Sequence, residues 1–146
     1  MKIRNLTVLA EADAIAAACD SGAGAAKLQI WDANGAGVPA DADTAITTQL
    51  LLAEITLNDP SFAAAVDVAP GGRIVLDVTP VPEDAAANAT AVTATLFARI
   101  VTSTGTCIVQ FDTVGVGSGE VQINTLSIVI NSVVQVTSGQ ITVPEG

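Results

Sequence analysis

Apolar and polar positions alternate with a period of two along much of this chain, most regularly between Ala91 and Asp112. Val92, Ala94, Leu96, Ala98 and Ile100 share one parity; Thr93, Thr95, Phe97, Arg99 and Val101 share the other. After a small polar cluster, Ser103-Thr104-Gly105, Cys107, Val109 and Phe111 alternate with Ile108, Gln110 and Asp112. Successive side chains of a strand point to opposite faces, so the pattern predicts a hairpin with one face drier than the other. A loop from Ser103 to Thr106 sets Ile100 against Val109, Ala98 against Phe111 and Arg99 against Gln110. A loop one residue shorter puts Phe97 opposite Phe111 but leaves Arg99 on their face. A slip of one position moves every side chain to the other face, so the register expected is the one that keeps Arg99 wet. Burying Leu96, Ile100, Val109 and Phe111 at roughly 1.5–3 kcal/mol each is comparable in size to a domain's whole net stability. The hairpin is therefore expected to be core.

The rest of the chain falls into shorter elements around it. Residues 1–9 alternate loosely and predict an edge strand or an extended arm. From Leu9 to Asp20 the apolar positions Leu9, Ala12, Ile15, Ala16 and Cys19 have helical spacing, with Glu11 and Asp13 in the expected first turn and Ser21-Gly22-Ala23-Gly24 ending it. Lys27–Asp32 (KLQIWD) predicts a strand with Leu28, Ile30 and Asp32 opposite Gln29 and Trp31. A Gly-, Ala- and Asp-rich loop spans Ala33 to Thr44, a strand runs from Gln49 to Leu57, and Asn58-Asp59-Pro60 breaks it. Phe62 to Val68 reads as a short strand or an apolar crossing, Gly71-Gly72 as punctuation, Arg73 to Thr79 as a strand, and Pro80 to Asp84 as a loop. Gly115, Gly117 and Gly119 mark an excursion, followed by strands at Val121–Asn124, Ser127–Ile130 and Val133–Val143. About eight strands and one short N-terminal helix, without strand–helix alternation, predict a mainly β fold. The expected architecture is an antiparallel β-sandwich, jelly-roll or Greek-key-like, in a single domain over residues 1–146.

Charge narrows the function. Five Lys and Arg stand against fifteen Asp and Glu, a net charge of -10. That balance argues against nucleic acid, whose phosphates need clustered cations, and against anionic membranes. The apolar start is interrupted by Glu11 and Asp13, unlike a secretory leader, and no apolar run is long enough to span a bilayer. The two cysteines, Cys19 and Cys107, are too few for a disulfide framework and sit among apolar neighbours.

The chain contains no histidine and no tyrosine, which removes the usual proton shuttle, the Ser-His and Cys-His nucleophiles and the commonest transition-metal ligand. No enzyme activity and no cofactor are expected. Asp32, Asn34 and Asp43 fall at the first, third and last positions of a twelve-residue window with glycine sixth, a faint echo of a calcium loop. Ala36 stands at its fifth position and an Asp at the place of the bidentate Glu, so a solvated loop is expected instead. Trp31, the sole tryptophan, is either core or an interface anchor. Gln122, Asn124, Ser127, Asn131, Ser132, Gln135, Thr137 and Ser138 would give the C-terminal strands a neutral polar face suited to lateral protein contact.

A short helix ending in SGAGA and running into KLQIWD resembles one family of tailed-phage virion proteins. So do LLAEITLNDPSF, the hairpin ARIVTSTGTCIVQFD and the tail GSGEVQINTLSIVINSVVQVTSGQITV. The likeness covers most of the chain as a general pattern. It departs at the hairpin turn, Thr102-Ser103-Thr104-Gly105, where the family tends to carry an acidic Asp-Ser-Asp-Gly; that speaks against a metal there. The resemblance implies a capsid decoration, or cement, protein on the outer capsid surface of the virion, made in the host cytoplasm. Its expected partners are the major capsid protein and other copies of itself, as a homodimer or homotrimer. Lys2, Ile3, Arg4, Leu6 and Trp31 are the expected contact residues. A tail or baseplate structural protein, or a carbohydrate-binding surface module using Trp31 and the 32–43 loop, are the alternatives.

Overall fold

The computed structural model describes residues 5–68 and 71–144. It is mainly β, with one helix and two sheets that share a hydrophobic core. Helix α1 spans Asn5–Cys19; strands β1 (Lys27–Asp32), β2 (Leu50–Thr56), β6 (Leu96–Val101) and β7 (Cys107–Phe111) build the first sheet in the order β2-β1-β6-β7. The second sheet runs β3 (Val66–Val68), β4 (Gly71–Val75), β10 (Val134–Pro144), β9 (Val121–Ile123) and β8 (Val114–Gly115), with β5 (Glu83–Asp84) pairing the start of β10. All pairings are antiparallel except β8 with β9, which makes the second sheet mixed.

β1 has the expected bounds, and its alternation is realised: Leu28, Ile30 and Asp32 are buried, Lys27, Gln29 and Trp31 only partly. The central hairpin has the expected register, with Ala98 opposite Phe111, Arg99 opposite Gln110 and Ile100 opposite Val109. The reason offered for that register does not hold. Arg99 is not wet: it is 5% exposed, and every residue of β6 is buried. Both faces of the sheet are covered, the inner by the second sheet and the outer by the long loop at residues 33–49. Ala91 to Thr95 lie outside the strand, which begins at Leu96.

Four further expectations are corrected. The helix begins at Asn5, so residues 5–9 are helical rather than an edge strand or arm, and Glu11 and Asp13 lie beyond its first turn. Asp13 instead ties the helix to the chain that follows β2, its carboxylate accepting the amide of Ala65 (2.9 Å). Gly71 and Gly72 are strand residues rather than a break: neither has room for a side chain, Gly71 against the backbone of Val143 in β10 and Gly72 where α1 crosses β4. A Cβ on Gly72 would sit 2.9 Å from the carbonyl oxygen of Val8. Ser127–Ile130 is irregular rather than a strand, and Glu83–Asp84 is a strand rather than loop. Lys2, Ile3 and Arg4 lie outside the described residues.

Candidate functional site

The outer face of the first sheet is an organised polar layer. From its buried position Arg99 Nη2 donates to the carbonyls of Asp41 (3.1 Å) and Thr44 (2.7 Å), and Nε donates to Gln110 Oε1 (3.0 Å). Gln110 Nε2 in turn donates to the carbonyl of Pro39 (2.7 Å). A buried guanidinium is tolerable only when its donors are met, and here loop carbonyls meet them. Arg99 thus straps residues 39–44 over the sheet. Beside it Trp31 stacks on Phe97, its cross-strand neighbour, with ring centroids 6.4 Å apart and planes 14° from parallel. Trp31 Nε1 is enclosed without a partner. Trp31 is therefore chiefly part of the sheet's packing, while Leu6, 71% exposed, projects from the start of α1. The two contact candidates lie on different elements.

The weak calcium candidates are not brought together. Asp32 is buried and turned to the backbone: its carboxylate accepts the amides of Val92 (2.5 Å), Thr93 (2.7 Å) and Asn34 (2.8 Å), and the Thr93 hydroxyl. Burial pushes its pKa up, but the hydrogen bonds from Thr93, Asn34 and Val92 outweigh burial and hold it below the ordinary carboxylate value. Asn34 sits at a positive φ of 46° and donates to the Thr48 carbonyl (2.9 Å). Asp43 is exposed. Among the described residues no three His, Cys, Asp or Glu side chains gather where a metal ion would fit. The thiols offer no nucleophile either: burial first, then the charge of Asp20 and the neighbouring Cys107, pushes Cys19 up to about 12, and burial raises Cys107.

Two surfaces remain, and neither includes Leu6 or Trp31. The first is the loop between β9 and β10. Polar side chains brace its backbone: Asn124 Oδ1 accepts the Gln135 amide (3.0 Å), Asn124 Nδ2 donates to the Val133 carbonyl (3.3 Å) and Ser132 Oγ accepts the Val129 amide (3.2 Å). Asn131 takes a positive φ of 67° at the turn. Leu126, Val129, Ile130 and Val133 are left exposed. The loop is bonded to residues 87–91, where Ala91 N donates to Ile128 O (2.9 Å) and Ile130 N to Thr90 Oγ1 (3.0 Å), which brings exposed Val92 alongside. Of the nine large exposed hydrophobics among the described residues, five fall here, so this is a patch and not scatter. In this loop the expected neutral polar residues share the surface with apolar ones: Asn124, Ser127 and Asn131 are exposed alongside Leu126, Val129, Ile130 and Val133. The signal for it, LSIVINSVV, was present as an apolar run too densely broken by Asn and Ser to pair as a strand.

The second surface is a groove of about 540 Å³ along β7, the last strand of the first sheet. One side is apolar: Ala14, Ile15 and Ala18 of α1, with Val109 and Ile141. The opposite side carries Asp41 from the strapped loop, with Gln110 and Asp112. Hydrogen bonds from the Thr44 hydroxyl and amide hold Asp41 below the ordinary carboxylate value, so it is charged at neutral pH. Among the described residues, no other segment hydrogen-bonds the backbone of Ile108 to Gln110 on the groove side. A long contact from Cys107 Sγ to Val109 O (3.6 Å) is local to the strand. The groove was not legible in the sequence, because its walls come from a helix, a loop and strands of both sheets.

Comparison with known protein families, with curated proteins and with solved structures finds no match to this chain.

Proposed function

We propose that this chain is a virion structural protein that binds the outside of a phage capsid and stabilises it by bridging subunits of the major capsid protein. The observation that carries the reading is the apolar patch on the β9–β10 loop, where five large side chains stand in water around a loop whose own polar groups are already satisfied. An apolar patch rimmed by polar residues is a protein contact surface before it is anything else. The pattern resemblance to tailed-phage virion proteins supplies the partner. A net charge of -10 keeps the body clear of packaged DNA, which suits an outer position.

The cement reading asks nothing of the chain but a rigid body and a surface, and the patch is mounted on a loop tied at both ends. The test is cosedimentation with purified capsids. The double variant Val129→Asp/Ile130→Asp is expected to lose capsid binding while its thermal unfolding stays near that of the parent, because both side chains are exposed. Undiminished binding would remove the patch from the mechanism. Density on the tail rather than the shell in electron micrographs of particles would replace the capsid with a tail partner. A truncation meant to probe the N-terminal segment has to stop before the helix: Val8 is buried against Gly72, so removing residues 2–9 would damage the body itself.

A further inference from the structure

We infer that the groove along β7 is a docking site for an extended segment of another protein, about five residues long and alternating apolar with basic side chains, which adds to the first sheet beside β7. The inference stands apart from the apolar patch on the β9–β10 loop and does not depend on a capsid as partner. Three observations define the chemistry of that occupant.

First, β7 is a sheet edge with an open backbone. Among the described residues, Ile108 to Gln110 have no main-chain partner other than β6. The opposite edge, β2, is closed: Glu54 N donates to Asp84 Oδ2 (3.1 Å) and Leu52 O accepts from Asn88 N (2.7 Å). An unblocked edge is a template for another strand, and strand addition takes its affinity from main-chain hydrogen bonds. The five residues of β7 run about 17 Å, which sets the length of the segment they can pair.

Second, the groove is two-sided in the way an alternating strand requires. Val109 shares a parity with buried Phe111, while Gln110 and Asp112 share the other, on the side of the strapped loop. On the side of Val109 the wall is apolar, built by Ile15 of α1 and Ile141 of β10. Ala14 and Ala18, one turn apart on α1, keep that wall recessed, because larger side chains there would occupy the space. A strand laid beside β7 sends alternate side chains to the two walls, so every second residue of the occupant has to be apolar.

Third, the other wall is acidic and its charge is not neutralised from within. Asp41 is held charged at neutral pH by hydrogen bonds from Thr44, and Asp112 Oδ1 accepts from Gln110 Nε2 (3.0 Å), which fixes the second carboxylate at the end of the strand. Among the described residues no Lys or Arg forms an ion pair with either. Arg99 lies beneath the same loop, but its donors are spent on the Asp41 and Thr44 carbonyls and on Gln110. The residues of the occupant that face this wall are therefore basic. The same charge works against a second copy of this chain as occupant, because two molecules that each carry -10 repel one another.

The experiment titrates the full chain, without capsids, into a fluorescein-labelled and end-capped peptide, Val-Lys-Val-Arg-Val, and reads fluorescence anisotropy. Saturable binding is expected, weaker as salt is raised, and none to the peptide with glutamate in place of lysine and arginine. Asp112→Lys and Ala14→Trp, the first reversing a charge of the acidic wall and the second filling the groove from α1, are each expected to weaken binding by about tenfold or more. Both positions are exposed, so thermal unfolding should stay near that of the parent. Methylating alternate peptide amides separates strand addition from simple charge attraction. Only one edge of the added strand faces β7, so one of the two methylated sets should abolish binding and the other retain it. No saturable binding by the parent, equal binding of the glutamate peptide, an unaffected Ala14→Trp variant, or equal binding of both methylated sets would each overturn the inference. So would a parent that self-associates in sedimentation equilibrium until Ala14→Trp abolishes it, since the occupant would then be a second copy. Capsid cosedimentation is scored separately: a chain that binds the peptide yet ignores capsids would sink the decoration reading alone.

Discussion

The two edges of the first sheet are finished in opposite ways. On the β2 side, residues 84–88 fold back so that the Asp84 carboxylate meets the Glu54 amide and the Asn88 amide meets the Leu52 carbonyl. On the β7 side the chain builds walls, α1 on one flank and the 39–44 loop on the other, and leaves the strand between them open. An uncapped edge is a hazard that proteins usually blunt with charge, a bulge or a covering segment. Here one edge is covered, and the other is left open beside Asp41 and Asp112. The difference teaches that exposure of a strand edge in this molecule is selective.

Replacing Arg99 by Ala attacks the open side most severely. It removes the donors that hold the Asp41 and Thr44 carbonyls and leaves Gln110 Oε1 without its donor, so a loss on the order of 3 kcal/mol is expected in urea unfolding. A variant with the parent's urea midpoint would show that the strap contributes little and that the wall stands without it.

A smaller effect is expected on the closed side. Asp84→Ala removes the cap on Glu54 N and the local bond to Ala86 N (3.0 Å), at a cost of about 1–2 kcal/mol. Its more telling consequence is a newly open β2 edge, read as concentration-dependent association in sedimentation. If Asp84→Ala stays as monodisperse as the parent, the contrast between the edges is not what controls association.

The mildest change is in pH and concerns Asp32, at the end of β1 between the two edges. Its folded pKa is depressed below that of the unfolded carboxylate, so its stabilisation is complete above the unfolded value. It is lost as pH falls through the carboxylate range toward the lower folded value. Unfolding midpoints should drop over that acid window and by less in Asp32→Asn, which cannot titrate. Equal slopes for parent and variant would assign the acid sensitivity to other carboxylates.

Much of the architecture was legible because it is local. Lys27–Asp32 was bounded to the residue by its alternation, and the expected hairpin register is the one found, although the wet Arg99 that argued for it is buried. Helix spacing found Ala12 and Cys19 in the core, though it missed the first turn at Asn5, where the sequence resembles an alternating arm. What failed was the inference about which side of the hairpin meets water. Arg99 reads as exposed in the sequence, and only the loop folded over it, some 55 to 58 positions away, makes burial acceptable. Gly71 and Gly72 read as a break until β10 and the helix are seen to need their emptiness.

By itself, then, the order of residues determined a β-rich body with a short leading helix, its central hairpin and its lack of histidine-based chemistry, since these depend on periodicity and composition that short-range sterics enforce. Tertiary structure decided which polar groups are spent inside, which apolar ones are left in water on the β9–β10 loop, and which strand edge stays open. Those outcomes depend on segments far apart in the chain arriving at one place, and no local pattern records an arrival.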